Sequence, residues 1–533
     1  MSLFIDTILQ RSDAIDLETF TSKFHPIIGD HGEFYGDPGD RTYRLLSHLS
    51  TLFNDKNIVV WDAYTGLSAL ALSYNPTNSV HGFTTKNFLL PSLTTSQPNL
   101  SFSNTDLSNP DHCDAWKSLL LSAALIFIDR SPHDGVKEYE LLQFLQENYY
   151  EGIVVLEHIW SMKTMRDHCW SKLNPNFRCD VSLLGNHSGT GICWFSPNIR
   201  ISNGLDIDQQ LVEKWTLVTA YFDLTKCPDA SAEIRARDSD YYFYHASATL
   251  TLPYNMVIYC DQESLSKIQA IRPPHVKTKY EVRVFDDFVI DAKRFSEYRT
   301  QIIQNRQMYP YHFDPRNTAS YYLFCMSRYI MLKETCNQNP FQSTHFCWIN
   351  FCMERMGYCN LMHLEEALNE YRDKFSTCYI DYVPEELVKN VSEYYQRGRC
   401  GMCSGFFTGN QMYMGSVCSA ILDTFVKYVN MGYGHADEQL YSPVYFDHPD
   451  WFEQYFGDYT EMITNYVWIY QRPTEPLFNF IRNSYQHKNY KMCKIACENL
   501  LKSIAKKKCS LSDDHMASLQ YYFTNSYLHV NRI

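Results

Sequence analysis

Short β-rich segments that end at a polar residue recur along the chain and constrain its fold more than any other feature. In the first half these segments span 58–61, 80–83, 125–128 and 153–156. Asp62, Asp129 and Glu157 directly follow three of them. Helical spacing of apolar residues between them, at 68–73 and 138–148, predicts a mostly parallel sheet with helices on both faces. Because ligands of such sheets bind at the carboxyl ends of the strands, we expect the three acids on one rim.

The second half of the chain repeats this pattern. Its β-rich segments are 216–222, ending at Asp223; 256–259, ending at Cys260-Asp261; and 345–349, ending at Asn350. A long helical region is predicted over 291–334, and the tail from 475 onward is predicted to be mostly helical. Strands interleaved with helices again predict an α/β domain.

A polar span at 197–210 separates the two halves and carries the turn signal Asn203-Gly204. The chain has 533 residues, which is too long for one ordinary core. These features predict a first domain at 1–205, a second at 213–470, and a helical extension at 471–533 packed on the second.

The composition excludes several classes of protein. The chain has 47 basic and 60 acidic residues and a net charge of −13, which argues against a general nucleic-acid binder. We expect no membrane span, because no stretch of about 18 apolar residues exists, and no signal peptide, because acids interrupt the apolar N-terminus. Among the 18 cysteines, Cys400 and Cys403 come nearest to a zinc-type pair, but no second pair lies at a zinc-ribbon distance from them, which favours a reduced, cytoplasmic protein.

The segment 432–466 gathers a histidine, several acids and a row of tyrosines. His435, Asp437 and Glu438 follow a glycine-flanked turn, and a helix is predicted to begin at about Asp437. Carboxylates beside a histidine are suited to take a proton from a sugar hydroxyl, which makes these three residues candidate catalytic groups. Two alternatives stay open: Asp437 caps the helix, or His435 is a core histidine.

Four segments of the first half resemble class I S-adenosylmethionine-dependent methyltransferases, in the branch near catechol O-methyltransferase. They are WDAYTGLSALALSYNPTN (61–78), FIDRSPHDG (127–135), LEHIW (156–160) and GNHSGTGICWF (185–195). The resemblance covers about residues 30–200 and implies a Rossmann-like fold that binds S-adenosylmethionine. The cofactor-binding residues that it implies are Asp62, Gly66, Ser68, Asp129, His133 and Asp134, with His158 as a further candidate to assist methylation.

Two positions depart from this family's pattern. The family's first loop has acid–x–Gly and then a second glycine, whereas here Asp62 is followed by Ala63, Tyr64, Thr65 and Gly66, so the first glycine is missing. Thr84-Thr85 follow the second strand, where the family has an acid that binds the ribose. A threonine cannot make the bidentate, charge-assisted contact of an acid. Two interpretations stay open: an O-methyltransferase that modifies a sugar, or a docking domain that keeps the fold without the cofactor.

Several ordered segments of the second half, over about 213–470, resemble the HtrL/YibB family of glycosyltransferases. They are WTLVTAYFDL (215–224), NMVIYCD (255–261), DPRNTASYYLFCMSRY (314–329), NPFQSTHFCWINF (339–351), GMCSGFFTGN (401–410), GYGHADEQLYSP (432–443) and YFGDYTEMITNY (455–466). The resemblance implies a GT-A type fold that binds a nucleotide sugar.

The resemblance also implies the roles of individual residues. The residues that would bind the donor nucleotide are Thr219, Asp223, Asp261, Arg316, Asn317, Arg328 and Gly405. Asn350 stands where the family has an acid, so a Mn²⁺ or Mg²⁺ site there would lack one negative charge. Structural ion pairs for the arginines and turn capping for the aspartates stay open as alternatives. The small-residue segment at Gly401, Cys403-Ser404 and Gly405 is predicted to be a loop, and two alternatives stay open: it approaches a sugar closely, or it is only a tight turn.

Together these features predict a two-domain, glycan-modifying protein. The second domain would transfer a sugar from a nucleotide-sugar donor to a glycan or glycoprotein acceptor, and the first would methylate that sugar or act as a docking module. Such fusions occur in giant viruses and in bacterial surface-polysaccharide clusters. The alternative from another class is a non-catalytic glycan-binding or scaffold protein.

Overall fold

The computed structural model describes most of the chain. The described residues are 5–22, 39–85, 89, 93, 97–174, 177–182, 184–186, 188–202, 209–274, 276–308, 314–353, 361–470 and 475–531. The chain divides into two compact units. Unit 1 comprises Met1–Ile207, Leu250–Pro253 and Gln269–His275, and unit 2 comprises Asp208–Thr249, Tyr254–Ile268 and Val276–Ile533. The predicted turn Asn203-Gly204 lies outside the described residues, and the predicted domain boundaries stay predictions.

The helices follow one another along the whole chain. They are α1 (Leu17–Ser22), α2 (Gly39–Thr51), α3 (Leu67–Leu72), α4 (Pro110–Ala115), α5 (Lys117–Ser122), α6 (Val136–Glu147), α7 (Lys163–His168), α8 (Gln209–Lys214), α9 (Ala232–Arg235), α10 (Ser239–Tyr244), α11 (Ser247–Leu250), α12 (Leu265–Ile271), α13 (Phe295–Met308), α14 (Ala319–Gln338), α15 (Leu361–Asn369), α16 (Glu385–Lys389), α17 (Val391–Arg397), α18 (Gln411–Asn430), α19 (Glu438–Asp447), α20 (Glu475–Gln486), α21 (Tyr490–Ala505) and α22 (Asp513–Val530). None of the described helices combines the length and the apolarity that a membrane crossing needs.

The strands of unit 1 form one large sheet and one strand pair. They are β1 (Ile5–Ile8), β2 (Asn57–Trp61), β3 (Ser79–Thr84), β4 (Leu100–Asn104), β5 (Ala123–Ile128), β6 (Ile153–Glu157), β7 (Arg178–Asp180), β8 (Thr190–Trp194) and β9 (Ile199–Ser202). Among the described residues, the large sheet has the order β4-β3-β2-β5-β6-β8-β7, and β1 pairs with β9. β8 runs antiparallel to both of its neighbours, whereas the other strands of the sheet are parallel.

The order of this sheet, with its one antiparallel strand beside the edge, is that of class I methyltransferases. The prediction of a Rossmann-like first domain is therefore confirmed. β2, β5 and β6 are buried along almost their whole length, because helices cover both faces of a parallel sheet. Their apolar runs accordingly lack the alternation of a half-exposed strand.

The strands of unit 2 form a second large sheet. They are β10 (Trp215–Tyr221), β11 (Met256–Cys260), β12 (Thr278–Val282), β13 (Val289–Ile290), β14 (Lys293–Arg294), β15 (His345–Ile349), β16 (Phe375–Tyr379), β17 (Met402–Asn410) and β18 (Phe452–Phe456). In the part that is described, the sheet has the order β12-β11-β10-β15-β17-β16-β18, and β13 pairs with β14. β17 runs antiparallel to both β15 and β16.

This second sheet has the strand order of GT-A type folds, so the predicted fold class of the second domain is also confirmed. Two local predictions differ from the structure. The region 291–334 begins with the short strand β14 before the long helices α13 and α14. Cys403-Ser404 lie within β17 and not in a loop, because Met402 before them and Phe407 after them both pair with β16, and both residues are buried.

Candidate functional site

A buried ion pair lies at the centre of the candidate site in unit 2. Arg328 on α14 and Asp437, directly before α19, are each 4% exposed, and Arg328 Nη1 lies 3.2 Å from Asp437 Oδ2. The same Nη1 donates to the backbone oxygen of Ser404 at 3.2 Å and to its Oγ at 2.6 Å. The Tyr329 hydroxyl donates to Asp437 at 3.4 Å. The Asp437 carboxylate makes no capping bond to α19, so its described contacts hold Arg328 instead.

Glu438, the first residue of α19, is the more exposed of the two neighbouring carboxyl groups of this cluster. It is half-buried, and its Oε2 accepts a hydrogen bond of 2.7 Å from the hydroxyl of Tyr459, which is 38% exposed. Burial and the neighbouring Asp437 carboxylate raise the pKa of Glu438 to about 7. A carboxyl group with this pKa exchanges protons near neutral pH, as a general base must.

The segment that carries His435 is held by main-chain hydrogen bonds. Arg306 on α13 donates to the oxygen of Gly434 at 2.7 Å and to that of His435 at 3.1 Å. Asn317 donates to the same oxygen of His435 at 2.6 Å. The His435 ring accepts a bond from the Gly434 N–H, and burial together with Arg306 lowers the pKa of His435 to about 3. His435 is therefore a neutral, buried histidine that orders this turn.

The polar residues at the strand ends of unit 2 serve as local caps. The Asp223 carboxylate accepts from the N–H and hydroxyl of Thr225, and Asp261 accepts from the N–H groups of Asp223 and Ser264. Asp223 and Asp261 thus meet at the carboxyl edge of the sheet, because each directly follows its strand, β10 or β11. Their described bonds are those of turn capping, the alternative that the sequence left open.

Asn350 and Gly405 are neighbours at the same edge. The Asn350 N–H donates to the Gly405 oxygen at 3.0 Å, and its side-chain Oδ1 accepts from the Cys352 N–H at 3.1 Å. The amide oxygen that would ligate Mn²⁺ or Mg²⁺ therefore already caps the following turn. Gly405 adjoins Ser404, which links this pair to Arg328.

Two further predicted donor residues lie elsewhere in unit 2. Arg316 forms an exposed ion pair with Asp314, two residues away. Thr219 is fully buried in β10, and its hydroxyl has no hydrogen-bond partner among the described residues. The structure thus gathers Arg328, Asp437 and Glu438 into one cluster, but Arg316 makes its described contacts apart from it.

Two residues of the cluster were not singled out in the sequence. Tyr459 lies inside a segment that resembles the family, but no local pattern marks it. Arg306 lies within the predicted helical region, more than a hundred residues from the turn that it binds. Their roles depend on contacts between distant segments, and a single sequence carries no signal for these.

In unit 1, Asp62 occupies a strained position at the end of β2. Its φ is 64°, a conformation that costs about 1–3 kcal/mol in a non-glycine residue and is concentrated at functional sites. Its Oδ2 accepts from the Ser131 N–H at 3.2 Å, whereas its buried Oδ1 has no hydrogen-bond partner among the described residues. Gly66, with φ 91°, starts α3, and a side chain there would come within 2.9 Å of Leu93. Ser68 is half-buried in the first turn of α3.

Asp129, His133 and His158 form a second cluster in unit 1. Asp129 Oδ1 lies 3.8 Å from His133 Nε2 and 3.5 Å from His158 Nε2, and the two imidazole rings are tilted by 40° with centroids 4.0 Å apart. Burial and the Asp62 carboxylate raise the pKa of Asp129 to about 6. Asp134 belongs to a different contact, because it caps α6 and pairs with Arg130. The three side chains have donor atoms close enough to hold one metal ion.

Residues 213–467 match the model of the HtrL_YibB family, described as a bacterial protein of unknown function. The match covers most of unit 2 and a little under half of the chain, and it confirms the predicted resemblance. No curated protein sequence matches the chain.

Solved structures with similar folds fall into the two predicted classes. Mouse xyloside xylosyltransferase 1 is 10% identical and covers 51% of this chain and 92% of its own, with a TM-score of 0.27. Fibrillarin from Aeropyrum pernix, bound to S-adenosyl-L-methionine, is 12% identical, and the match covers 22% of this chain and 54% of fibrillarin, with a TM-score of 0.18. The mycinamycin-pathway methyltransferase MycE, with Mg and SAH, is 13% identical, and the match covers 29% of this chain and 43% of MycE, with a TM-score of 0.20. The chain thus spans about half of fibrillarin and a little under half of MycE.

The buried pair predicts a large loss of stability when one partner is neutralised. Asp437→Asn should lower the free energy of unfolding by about 3–5 kcal/mol, because Arg328 would stay buried without its counter-ion. Asp314→Asn breaks an exposed pair and should cost less than about 1 kcal/mol. Urea unfolding of each variant, followed by tryptophan fluorescence, measures both losses.

A double variant separates the charge effect from lost packing. Arg328→Met with Asp437→Leu removes both charges and should recover most of the stability lost in Asp437→Asn. Equal, small losses for Asp437→Asn and Asp314→Asn would show that the buried pair does not hold this region together.

Proposed function

We propose that unit 2 transfers a sugar from a nucleotide-sugar donor to a hydroxyl group of a glycan or glycoprotein acceptor. The observation that carries this proposal is Glu438, a half-buried carboxyl group of raised pKa that receives a hydrogen bond from Tyr459. Glu438 follows the ion-paired Asp437, whose partner Arg328 contacts the start of β17. The start of β17 lies at the carboxyl edge of the sheet, where ligands of α/β folds bind.

The strand order of unit 2 supports the same assignment. A GT-A type sheet places the donor nucleotide over the carboxyl ends of its first strands. Asp223 and Asp261 end β10 and β11 and meet each other there. We assign donor binding to this edge, with Thr219, Asn317 and Gly405 as further predicted contributors.

Glu438 would act on the acceptor. Its carboxylate takes the proton of the acceptor hydroxyl as the acceptor oxygen forms a bond to the anomeric carbon, and the bond from that carbon to the nucleoside diphosphate breaks. The Tyr459 hydroxyl favours the charged carboxylate and holds its orientation. Asp437 is the weaker candidate for this step, because its carboxylate is buried against Arg328.

A divalent ion in unit 2 does not fit the described residues well. The Asn350 Oδ1 accepts from the Cys352 N–H, and the Asp223 carboxylate is bound by Thr225 and lies 3.7 Å from the Lys226 ammonium. Mn²⁺ or Mg²⁺ needs oxygen ligands that these contacts already engage. No step of the proposed transfer is therefore assigned to a metal.

Donor binding is the first test of this proposal. Titration calorimetry of the full chain with UDP-, GDP- and dTDP-sugars should give saturable heat with at least one of them. Asp261→Asn should weaken that binding, because it removes the charge and alters the cap that holds Asp223. Absence of heat with the whole panel would leave a glycan-binding or scaffold protein as the remaining interpretation.

The second test is the pH dependence of sugar transfer. Glu438 must be ionised to act as a base, so the turnover rate should fall about tenfold per pH unit below pH 7 and level off above it. Glu438→Gln should lower turnover by at least about 100-fold at pH 8. Release of nucleoside diphosphate measures both effects. Glu385→Gln, on an exposed helix, is the matched control and should leave turnover unchanged.

Two further measurements separate catalysis from structure. The folded state raises the pKa of Glu438, so its ionisation destabilises the fold as pH rises through about 7. Glu438→Gln should therefore melt at a higher temperature than the native protein at pH 8, although it is inactive. Tyr459→Phe removes a hydrogen bond that lowers the pKa of Glu438, so the fall of the turnover rate at low pH should move to higher pH. Tyr527→Phe, at an exposed tyrosine, should not move it. If the fall of the turnover rate at low pH is not shifted in Tyr459→Phe, Glu438 is not the titrating base.

We infer as a second candidate function that unit 1 binds S-adenosylmethionine and methylates a sugar hydroxyl. The buried Oδ1 of Asp62, which has no hydrogen-bond partner among the described residues, favours this function, because it could accept a hydrogen bond from the cofactor's amino group. When bound, the cofactor supplies an electrophilic methyl group. The ribose end fits less well, because Thr84 and Thr85 stand where an acid would bind the hydroxyls. His133 and His158 lie near Asp129 and could accept the proton of the hydroxyl that is methylated.

Calorimetry with S-adenosylhomocysteine tests this second candidate. The full chain should bind it, and Asp62→Asn should weaken binding at least about tenfold, because it removes the charge that faces the amino group. Ser122→Ala, on the same unit and away from this edge, is the control. Absence of heat in the native protein would identify unit 1 as a docking domain.

A further inference from the structure

A shallow groove opens on the surface of unit 2, between α14 and α18. Its volume is about 530 Å³, and it is lined by the last turns of α14, by one face of α18, and by His448 and Trp451, which follow α19. Clefts of about 300–1,000 Å³ are of the usual size for small-ligand sites. None of the described residues that line the groove belongs to the cluster around Arg328 and Glu438.

Two aromatic side chains form one wall of the groove. The rings of His448 and Trp451 are parallel to within 4°, with centroids 3.8 Å apart. The Trp451 N–H donates to the His448 oxygen at 3.1 Å, and the His448 N–H donates to the Val444 oxygen of α19 at 2.9 Å. Trp451 is half-buried, and the next residue, Phe452, is buried and begins β18. This wall is therefore fixed before a ligand binds, which lowers the entropic cost of binding.

Polar side chains line the rest of the groove. Asn337 and Ser419 contribute an amide and a hydroxyl group, and Lys333 and Asp423 contribute one charge of each sign. Within the described part of the chain, none of these four side chains makes a hydrogen bond or an ion pair, so all four are free to bond a ligand. Because the two charges cancel, the groove does not favour a polyanion such as a nucleic acid, which needs a basic footprint.

An aromatic wall beside hydrogen-bonding groups without net charge suits a sugar ring. A pyranose has apolar C–H faces that pack on an indole ring, and a rim of hydroxyl groups that both donate and accept. The Asn337 amide offers donors and an acceptor, and the Asp423 carboxylate accepts from hydroxyl groups.

We propose that this groove binds neutral sugar residues of a glycan chain at a distance from the site of sugar transfer. α19 begins at Glu438 and ends directly before His448, and its ten residues span about 15 Å. A glycan that packs on Trp451 is therefore held well away from the hydroxyl group that Glu438 would deprotonate. The identification of this glycan as the acceptor rests on the proposed function, whereas the binding of sugar in the groove does not.

Oligosaccharide binding by the full chain tests the proposal. The probes are the neutral hexasaccharides maltohexaose, cellohexaose, mannohexaose, xylohexaose and chitohexaose, titrated by calorimetry without a nucleotide sugar. At least one of them should bind saturably, and Trp451→Ala should weaken that binding at least about tenfold, because it removes the aromatic surface. Trp468→Ala, at another half-buried tryptophan of unit 2, is the matched control and should bind as the native protein does. Absence of binding with all five probes would overturn the proposal.

A second variant decides the question if Trp451→Ala does not fold. Gly415 lies in α18 and lines the groove, and a Cβ added there would meet no atom within 4 Å. Gly415→Leu should fold, because leucine favours a helix, and its side chain should fill the groove and weaken hexasaccharide binding at least about tenfold. Gln520→Leu, at an exposed position of α22, is the matched control. Native affinity in Gly415→Leu would overturn the proposal.

The outcome can be separated from that of the proposed transfer. If the chain gives no heat with nucleotide sugars but binds a hexasaccharide through Trp451, the proposed transfer fails and the sugar-binding groove stands. If a nucleotide sugar binds but neither Trp451→Ala nor Gly415→Leu weakens hexasaccharide binding, the glycan is held elsewhere and the groove proposal fails.

Discussion

The contact between Arg328 and Asp437 is the constraint on which the site in unit 2 depends. Both groups are almost fully buried, and the removal of each charge from water costs several kcal/mol. That cost is offset only while the pair and the Ser404 contacts are intact, so α14, the start of β17 and the start of α19 are held in one arrangement. Glu438 is the next residue along the chain and takes its position from this pair.

The position of Glu438 explains its protonation behaviour. A carboxyl group on a mobile loop would keep its ordinary pKa, whereas this one is half-buried beside a second carboxylate. Arg328 offsets part of the repulsion between the carboxylates of Asp437 and Glu438, but its ion pair is with Asp437. The result is one acid that serves as the structural partner of Arg328 and a neighbour that exchanges its proton near neutral pH.

The fold could be predicted from the sequence to a large extent, because its signals are local. Runs such as IVVW and LIFI mark buried strands, and the polar residues after them mark the carboxyl edge. Individual contacts could not be predicted, since they join distant segments. Asp437 was a candidate base because of its local context, but its partner Arg328 lies 109 residues away. The glycines around Cys403-Ser404 favoured a turn, but the pairing of Met402 and Phe407 with β16 on either side keeps this segment within β17, with an irregular register between them.

Both units place acids at the carboxyl edges of their sheets, but the acids are neutralised differently. In unit 2 the described partners of Asp223, Asp261 and Asp437 are main-chain N–H groups, hydroxyl groups and basic side chains of the same unit. Around Asp129 in unit 1 the described ion-pair partners are two imidazoles, which are only weakly basic. Where side chains and N–H groups of the same unit neutralise the acids, the edge is suited to bind an organic ligand by hydrogen bonds. Where the acids leave a surplus of negative charge, the edge is suited to bind a cation. Similar strand-edge architecture therefore supports different chemistry in the two units, and the difference lies in which side chains face the acids.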